Sequence, residues 1–296
     1  MGEAANARMV PEDETRTARA PRALVFDSGL GGLSVLAEID KLRPDLDVSY
    51  VADDAAFPYG RLGDADLIVR VEAVLARAIA DFRPDAVVVA CSTASTLALP
   101  RLRERHPRIP FVGVVPAVKP AARASRSRLI SVLATRGTVA RGYTHALVRE
   151  HAGDCEVTLV GSAGLAPIAE RLMRGETADE AEIARELAPC FVEKDGRRTD
   201  HVVLACTHFP LLMDFLMRLS PWPVAFVDPA PAIARRVDSL LGPAAPDSRP
   251  RGPGAIAFTS GTPPPPDLQN ALLRRGLAFT PAPAVGSGER LWLQRR

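Results

Sequence analysis

Two cysteines in matched surroundings are the residues of this sequence best placed to do chemistry. Asp85-Ala-Val-Val-Val-Ala-Cys91-Ser92 and Asp200-His-Val-Val-Leu-Ala-Cys206-Thr207 coincide, in register, at the aspartate, two valines, the alanine, the cysteine and a hydroxyl residue. Each thiol closes an apolar run and is followed by hydroxyl side chains (Ser92, Thr93 and Ser95; Thr207). That is where a βα loop opens at the carboxyl edge of a parallel sheet and ligands bind. A thiol beside a helix N-terminus faces unsatisfied amides and the positive end of the helix dipole, which favour the thiolate. Both cysteines are therefore expected to titrate below the ordinary thiol value of about 8.5. Two half-units facing one another would bring one thiol to each side of a shared ligand. One face then removes a proton while the other returns it, which inverts a carbon centre. A single strand-end cysteine is more often a small core hydrophobe; two in the same context point to chemistry.

Other residues could support such a pair. Asp27-Ser28-Gly-Leu-Gly-Gly32 follows a strand and precedes a helix-period stretch, so its amides and Ser28 can meet a carboxylate while the glycines permit close approach. Pro58-Tyr59-Gly60 reads as a turn. His208, two residues past Cys206, could orient that thiol or exchange a proton with it. Cys206 and His208 have no further cysteine–histidine cluster at zinc-like spacing beside them, so no metal is expected.

The elements that must position these groups are legible in the apolar pattern. Short runs at 23–26, 48–52, 86–90, 111–115, 129–133, 157–160, 202–205 and 224–227 read as buried parallel strands. Helix-period stretches such as 67–82 and 178–192 lie between them, giving an α/β chain of doubly wound parallel sheets. The 296 residues are 47% hydrophobic and 24% charged, enough for one large domain or two ordinary ones. A net charge of +2, from 37 basic against 35 acidic residues scattered along the chain, gives no single-sign field for nucleic acid or an anionic membrane. No apolar run is long enough to span a bilayer, and residues 1–21 lack the apolar core of a secretory signal. A cytoplasmic protein with reduced thiols is expected. Residues 1–21 are polar and aperiodic and are read as a flexible extension. From Gly242 onward ten of the chain's 27 prolines suggest loop or loosely packed cover.

Six ordered segments carry a resemblance to a known family: FDSGLGGLSV (26–35), ADDAAFPYG (52–60), VVACSTAS (88–95), GVVPAVKPA (113–121), LATRGTVARGY (133–143) and LACTHFPLL (204–212). Together they resemble the glutamate racemases of the aspartate/glutamate racemase superfamily, from about residue 23 to 237. The resemblance implies interconversion of L- and D-glutamate without a cofactor, supplying D-glutamate for peptidoglycan. It implies that Cys91 is the base acting on D-glutamate and Cys206 the base acting on L-glutamate. Asp27 would assist Cys91; His208 and Glu170 would assist Cys206. Substrate contacts would fall on Ser28, Tyr59, Gly60, Ser92, Thr93, Thr135, Thr138 and Thr207. Two α/β domains would face each other across the site, one of residues 22–116 plus 225–285 and the other of 117–224. The 113–123 segment and the N-terminal extension resemble the branch activated by UDP-N-acetylmuramoyl-L-alanine. One departure stands out, because the family has asparagine where this chain has Ser92. The hydroxyl offers one donor where the amide offers two. That leaves open a different acidic substrate such as aspartate, or a binding or regulatory homologue with weakened chemistry. Oligomeric state is not legible in the sequence.

Overall fold

The computed structural model describes residues 19–244 and 252–281. The chain begins with β1 (Arg22–Asp27), α1 (Leu33–Leu42), β2 (Asp47–Ala52), α2 (Asp64–Phe82), β3 (Ala86–Val89), α3 (Ser92–Arg105) and β4 (Phe111–Gly113). After α4 (Val118–Ala124), a second series runs through β5 (Leu129–Thr135), α5 (Arg136–Ala140), α6 (Gly142–His151), β6 (Glu156–Ser162), α7 (Leu165–Met173) and α8 (Glu180–Leu187). It continues with the short hairpin β7 (Glu193–Lys194) and β8 (Arg197–Arg198), then β9 (His201–Leu204), α9 (Met213–Arg218) and β10 (Ala225–Val227). The last described elements are α10 (Ala230–Leu241), β11 (Gly254–Phe258), α11 (Pro266–Leu273) and β12 (Leu277–Phe279).

These strands form two parallel sheets, ordered β12-β11-β2-β1-β3-β4 and β10-β9-β5-β6. The second order reproduces β2-β1-β3-β4 of the first when β6, β5, β9 and β10 are matched to those strands. The match extends to single hydrogen bonds. Ala90 N–H donates to Phe26 C=O at 2.8 Å, and Ala205 N–H donates to Leu133 C=O at 2.8 Å. Cys91 and Cys206 are the next residues, so the echo in sequence is an equivalence of place. The repeated aspartates hold the opposite edge: Asp85 accepts from Arg22 N–H at 2.8 Å, and Asp200 accepts from Ser127 N–H at 3.0 Å.

Both sheets are covered on both faces, which explains why their strands read as continuous apolar runs. Along β1, Ala23 and Val25 face one core while Leu24 and Phe26 face the other. Along β5, Leu133 joins one cluster while Ile130, Val132 and Ala134 join another. Helix α10 returns to the first sheet and is tied there by the buried Arg43, which pairs with Asp45 at 2.8 Å and donates to Gly242 C=O at 2.7 Å.

Two expectations about the chain's organisation change. The proline-rich tail is not loose cover over 254–279, because β11 and β12 extend the first sheet and Ile256, Leu268, Leu272 and Leu277 are buried in its core. Prolines there sit before and at the start of α11, where a missing N–H costs nothing. The strand Ala225–Val227, assigned from sequence to the first unit, pairs with β9 of the second sheet. By strand pairing the crossover back to the first sheet follows Val227 rather than preceding Ala225. Residues 1–18, 245–251 and 282–296 lie outside the described residues, and with them most of the expected N-terminal extension.

Candidate active site

The carboxyl edges of the two sheets meet around a narrow cavity, with about 330 Å³ of atom-free space when the open solvent at its mouth is included. Cys91, Ser92, Thr93 and Ser28 line it from the first unit, with Phe57, Pro58, Tyr59 and Gly60 from the loop after β2. Thr135, Ala166, Ala205, Cys206, Thr207 and His208 line it from the second. Both sulfurs are unbridged thiols, and both belong to the wall of this one cavity.

The local environments of the two thiols differ. Cys91 is the N-cap of the fourteen-residue α3, and the Ala94 amide does favour its thiolate. Burial and the nearby Asp27 carboxylate outweigh that amide, so the Cys91 thiol is pushed up to about 12. This corrects the expected depression, because desolvation in a closed cleft exceeds what one helix terminus returns. Cys206 precedes a single 3₁₀ turn, Phe209–Leu212, rather than an α-helix. Its Sγ lies 3.9 Å from His208 Nδ1, and His208 Nε2 lies 2.9 Å from Glu170 Oε1. Burial opposes the protonated imidazole, but its contacts with Cys206 and Glu170 prevail and raise His208 well above its ordinary value. Glu170 is lowered against the pull of burial, chiefly by its bond to His208.

Asp27 ends β1 fully buried and accepts from Gly29 N–H and Thr207 Oγ1, each at 3.1 Å. Burial raises it to about 6, with His208 opposing. The glycine-rich turn that follows serves the joint between the units. Leu30 N–H donates to Glu170 Oε1 at 2.5 Å, so the carboxylate met by this turn belongs to the protein. A β-carbon at Gly31 would lie 2.4 Å from His208 Nδ1, and one at Gly29 would lie 2.2 Å from Glu170 Oε1. Only glycine admits that approach.

Among the predicted contacts, Ser28, Gly60, Ser92, Thr93, Thr135 and Thr207 reach the cavity wall. Ser92 Oγ is buried and has no hydrogen-bond partner among the described residues. The Tyr59 ring lines the cavity, but its hydroxyl is hydrogen-bonded to Asp53. Thr138 is fully buried behind the wall, 3.0 Å from Thr135 Oγ1 and 3.3 Å from Thr93 Oγ1. It is thus a support for the two threonines in front of it. Asp27 and Glu170 likewise stand behind the lining residues.

Sequence reasoning passed over Asp53 and Phe57. Asp53 is wholly buried and accepts from Tyr59 Oη, from Arg70 Nε at 2.9 Å and from Thr259 Oγ1 at 2.5 Å. It therefore ties the loop carrying Phe57–Gly60 to α2 and to the residue that follows β11. Phe57 packs against the His208 ring with centroids 5.5 Å apart. Both residues lie inside the ADDAAFPYG segment, but their roles depend on partners far away in sequence.

The description of Asp/Glu/Hydantoin racemases matches residues 33–237 of the chain. The glutamate racemase of Brucella canis is 50% identical over 256 residues, covering 86% of this chain and 92% of the relative. That of Brucella anthropi is 54% identical over 220 residues, covering 74% and 79%. The crystal structure of Escherichia coli glutamate racemase, in complex with L-glutamate and the activator UDP-MurNAc-ala, has a TM-score of 0.81 at 42% identity. It covers 88% of this chain and 97% of its own. The glutamate racemase of Thermus thermophilus, in complex with beta-chloro-D-alanine, has a TM-score of 0.65 at 29% identity and covers 89% and 96%. A thiol from each of two matched sheets, meeting in one cavity, thus occurs in a chain half identical to known racemases over most of its length, and the chain belongs to the Asp/Glu/Hydantoin racemase family, among its glutamate racemases.

Proposed function

We propose that this enzyme interconverts L- and D-glutamate by proton transfer between its two cysteines, with no cofactor, and that the D-glutamate serves peptidoglycan synthesis. The observation that carries the reading is the presence of Cys91 and Cys206, from equivalent positions in two sheets, on the wall of one small cavity. L-Glutamate lies with its α-carbon between the sulfurs. Cys206 takes the α-proton from one face, and Cys91, held as a thiol by its burial, gives its own proton to the other. The reverse reaction exchanges these roles. Each L-to-D turnover leaves one proton more on Cys206 and one fewer on Cys91. After product leaves, proton exchange with water resets the pair, and His208 beside Cys206 and Asp27 near Cys91 are placed to relay those protons.

The carbanionic centre needs a dry, prearranged site. Hydroxyls of Ser28, Ser92, Thr93, Thr135 and Thr207 and the amide of Gly60 offer donors to the two carboxylates. Circular dichroism of D-glutamate solutions tests the reading. The wild type should bring the signal to zero and should not do so with D-aspartate at a comparable rate; an inert wild type, or a preference for aspartate, removes the glutamate assignment. Activation by UDP-N-acetylmuramoyl-L-alanine, the activator bound to the Escherichia coli neighbour, belongs to the same proposal. A titration that leaves the rate unchanged would dispose of it.

A further inference from the structure

Among the described residues the cavity wall carries no lysine or arginine; apart from His208, its polarity comes from hydroxyls, thiols and backbone. Glutamate brings two carboxylates and one ammonium, so a net negative charge must leave water for this cleft, which is costly unless a positive charge stands near. A guanidinium lies one layer behind the wall. Arg141, the N-cap residue of α6, has a side chain only 12% exposed, and its Nη2 donates to Asp64 Oδ1 of the other unit at 2.9 Å. Its Nε and Nη1 are buried and have no hydrogen-bond partner among the described residues.

The layer in between is thin. A β-carbon at Gly137 would lie 3.3 Å from Arg141 Nη1 and 3.5 Å from the Gly60 carbonyl oxygen, so Gly137 is packed against both. Gly60 in turn faces Thr135, whose Oγ1 is 3.8 Å from a β-carbon built on Gly60. With the α-carbon between the thiols, the Gly60 amide and the Thr135 hydroxyl are donors open to the side-chain carboxylate. Buried donors without partners are rare because each is costly. A guanidinium kept in that state beside an anion site is explained by its charge.

We infer that Arg141 is a positioning residue for the substrate's side-chain carboxylate: it supplies positive charge through the Gly60–Thr135 wall and, through Asp64, holds the two units together at that end of the cleft. The inference rests on the glutamate reading and names the group that would select a dicarboxylate.

The test measures kcat and KM for glutamate, with inhibition by glutarate, which has two carboxylates, and butyrate, which has the same chain and one. Arg141→Met should raise KM and weaken glutarate about tenfold or more, while butyrate stays within about threefold and kcat changes by less than that. Arg141→Lys should recover most of the glutarate affinity. Should the methionine variant fail to fold, Arg141→Gln makes the same comparison with a polar, uncharged side chain. Equal losses for both inhibitors, unchanged glutarate binding, or a lysine variant as weak as the methionine one would each overturn the inference. A wild type that neither turns over glutamate nor binds glutarate would instead sink the function on which it rests.

Discussion

Cys91 and Cys206 follow the same hydrogen bond in equivalent strands, yet different ionisable groups surround them. Around Cys91 stand a carboxyl group, a serine and the start of a long helix, and the thiol is pushed up to about 12. Around Cys206 stand an imidazole held protonated and the carboxylate that holds it. The strand framework fixes where the two sulfurs sit, and under the proposed mechanism the second layer of side chains sets what each does. Inversion needs two faces but not two identical bases. Mirror-image substrates have equal free energies in water, so kcat/KM must be the same in both directions whatever the asymmetry of the site. The difference between the half-sites can therefore show only in kcat and KM taken separately and in isotope effects.

The largest expected effect removes the comparison altogether. Cys91→Ala and Cys206→Ala should each lower racemisation by about 10³-fold or more, measured by circular dichroism from both enantiomers. Substantial racemisation by either variant would break the two-base account.

A smaller effect sharpens the contrast. His208→Asn and Asp27→Asn should each cost about 10²-fold in kcat, but with opposite signatures. The first should raise the primary isotope effect on α-deuterated L-glutamate more than on the D form, and the second should do the reverse. Identical isotope effects in the two variants would mean that these groups do not belong to separate half-sites.

Asp27→Asn also makes a prediction about stability. The folded value of about 6 lies above the ordinary 3.8, so the native state holds the proton more tightly and loses stability as pH rises through that window. The penalty is absent below about pH 4 and complete above about pH 6, where it amounts to about 3 kcal/mol. The asparagine variant, which keeps an acceptor for Thr207, should be more stable than wild type at pH 8 in urea unfolding and lose that advantage near pH 4. A constant difference across that range would show that the charge is not the cause.

The smallest change concerns Ser92, a lining residue whose buried hydroxyl has no hydrogen-bond partner among the described residues. Ser92→Asn adds a second donor and should lower KM for glutamate by up to about tenfold, the worth of one modest hydrogen bond. A raised KM would mean that the wall is fitted to the shorter side chain.

The sequence by itself determined eight of the strands, the fold class and the two cysteines at the carboxyl edges of the sheets, because buried parallel strands are written as local apolar runs and the repeated Asp-to-Cys segment is contiguous. It also carried the glycines of the 27–32 turn, but not their use, since the groups they admit, Glu170 and His208, come from the other unit. Three things were decided only by the tertiary structure. The proline-rich tail became sheet because β2 offers it an edge that composition does not reveal. The Cys91 thiol rose instead of falling, because burial is a sum over neighbours from both units. Asp53 and Arg141 acquired meaning only when Tyr59, Thr259, Asp64 and Gly60 were brought beside them. Local pattern sets what a segment can be, whereas desolvation and charge pairing depend on distances that exist only once the chain has closed on itself.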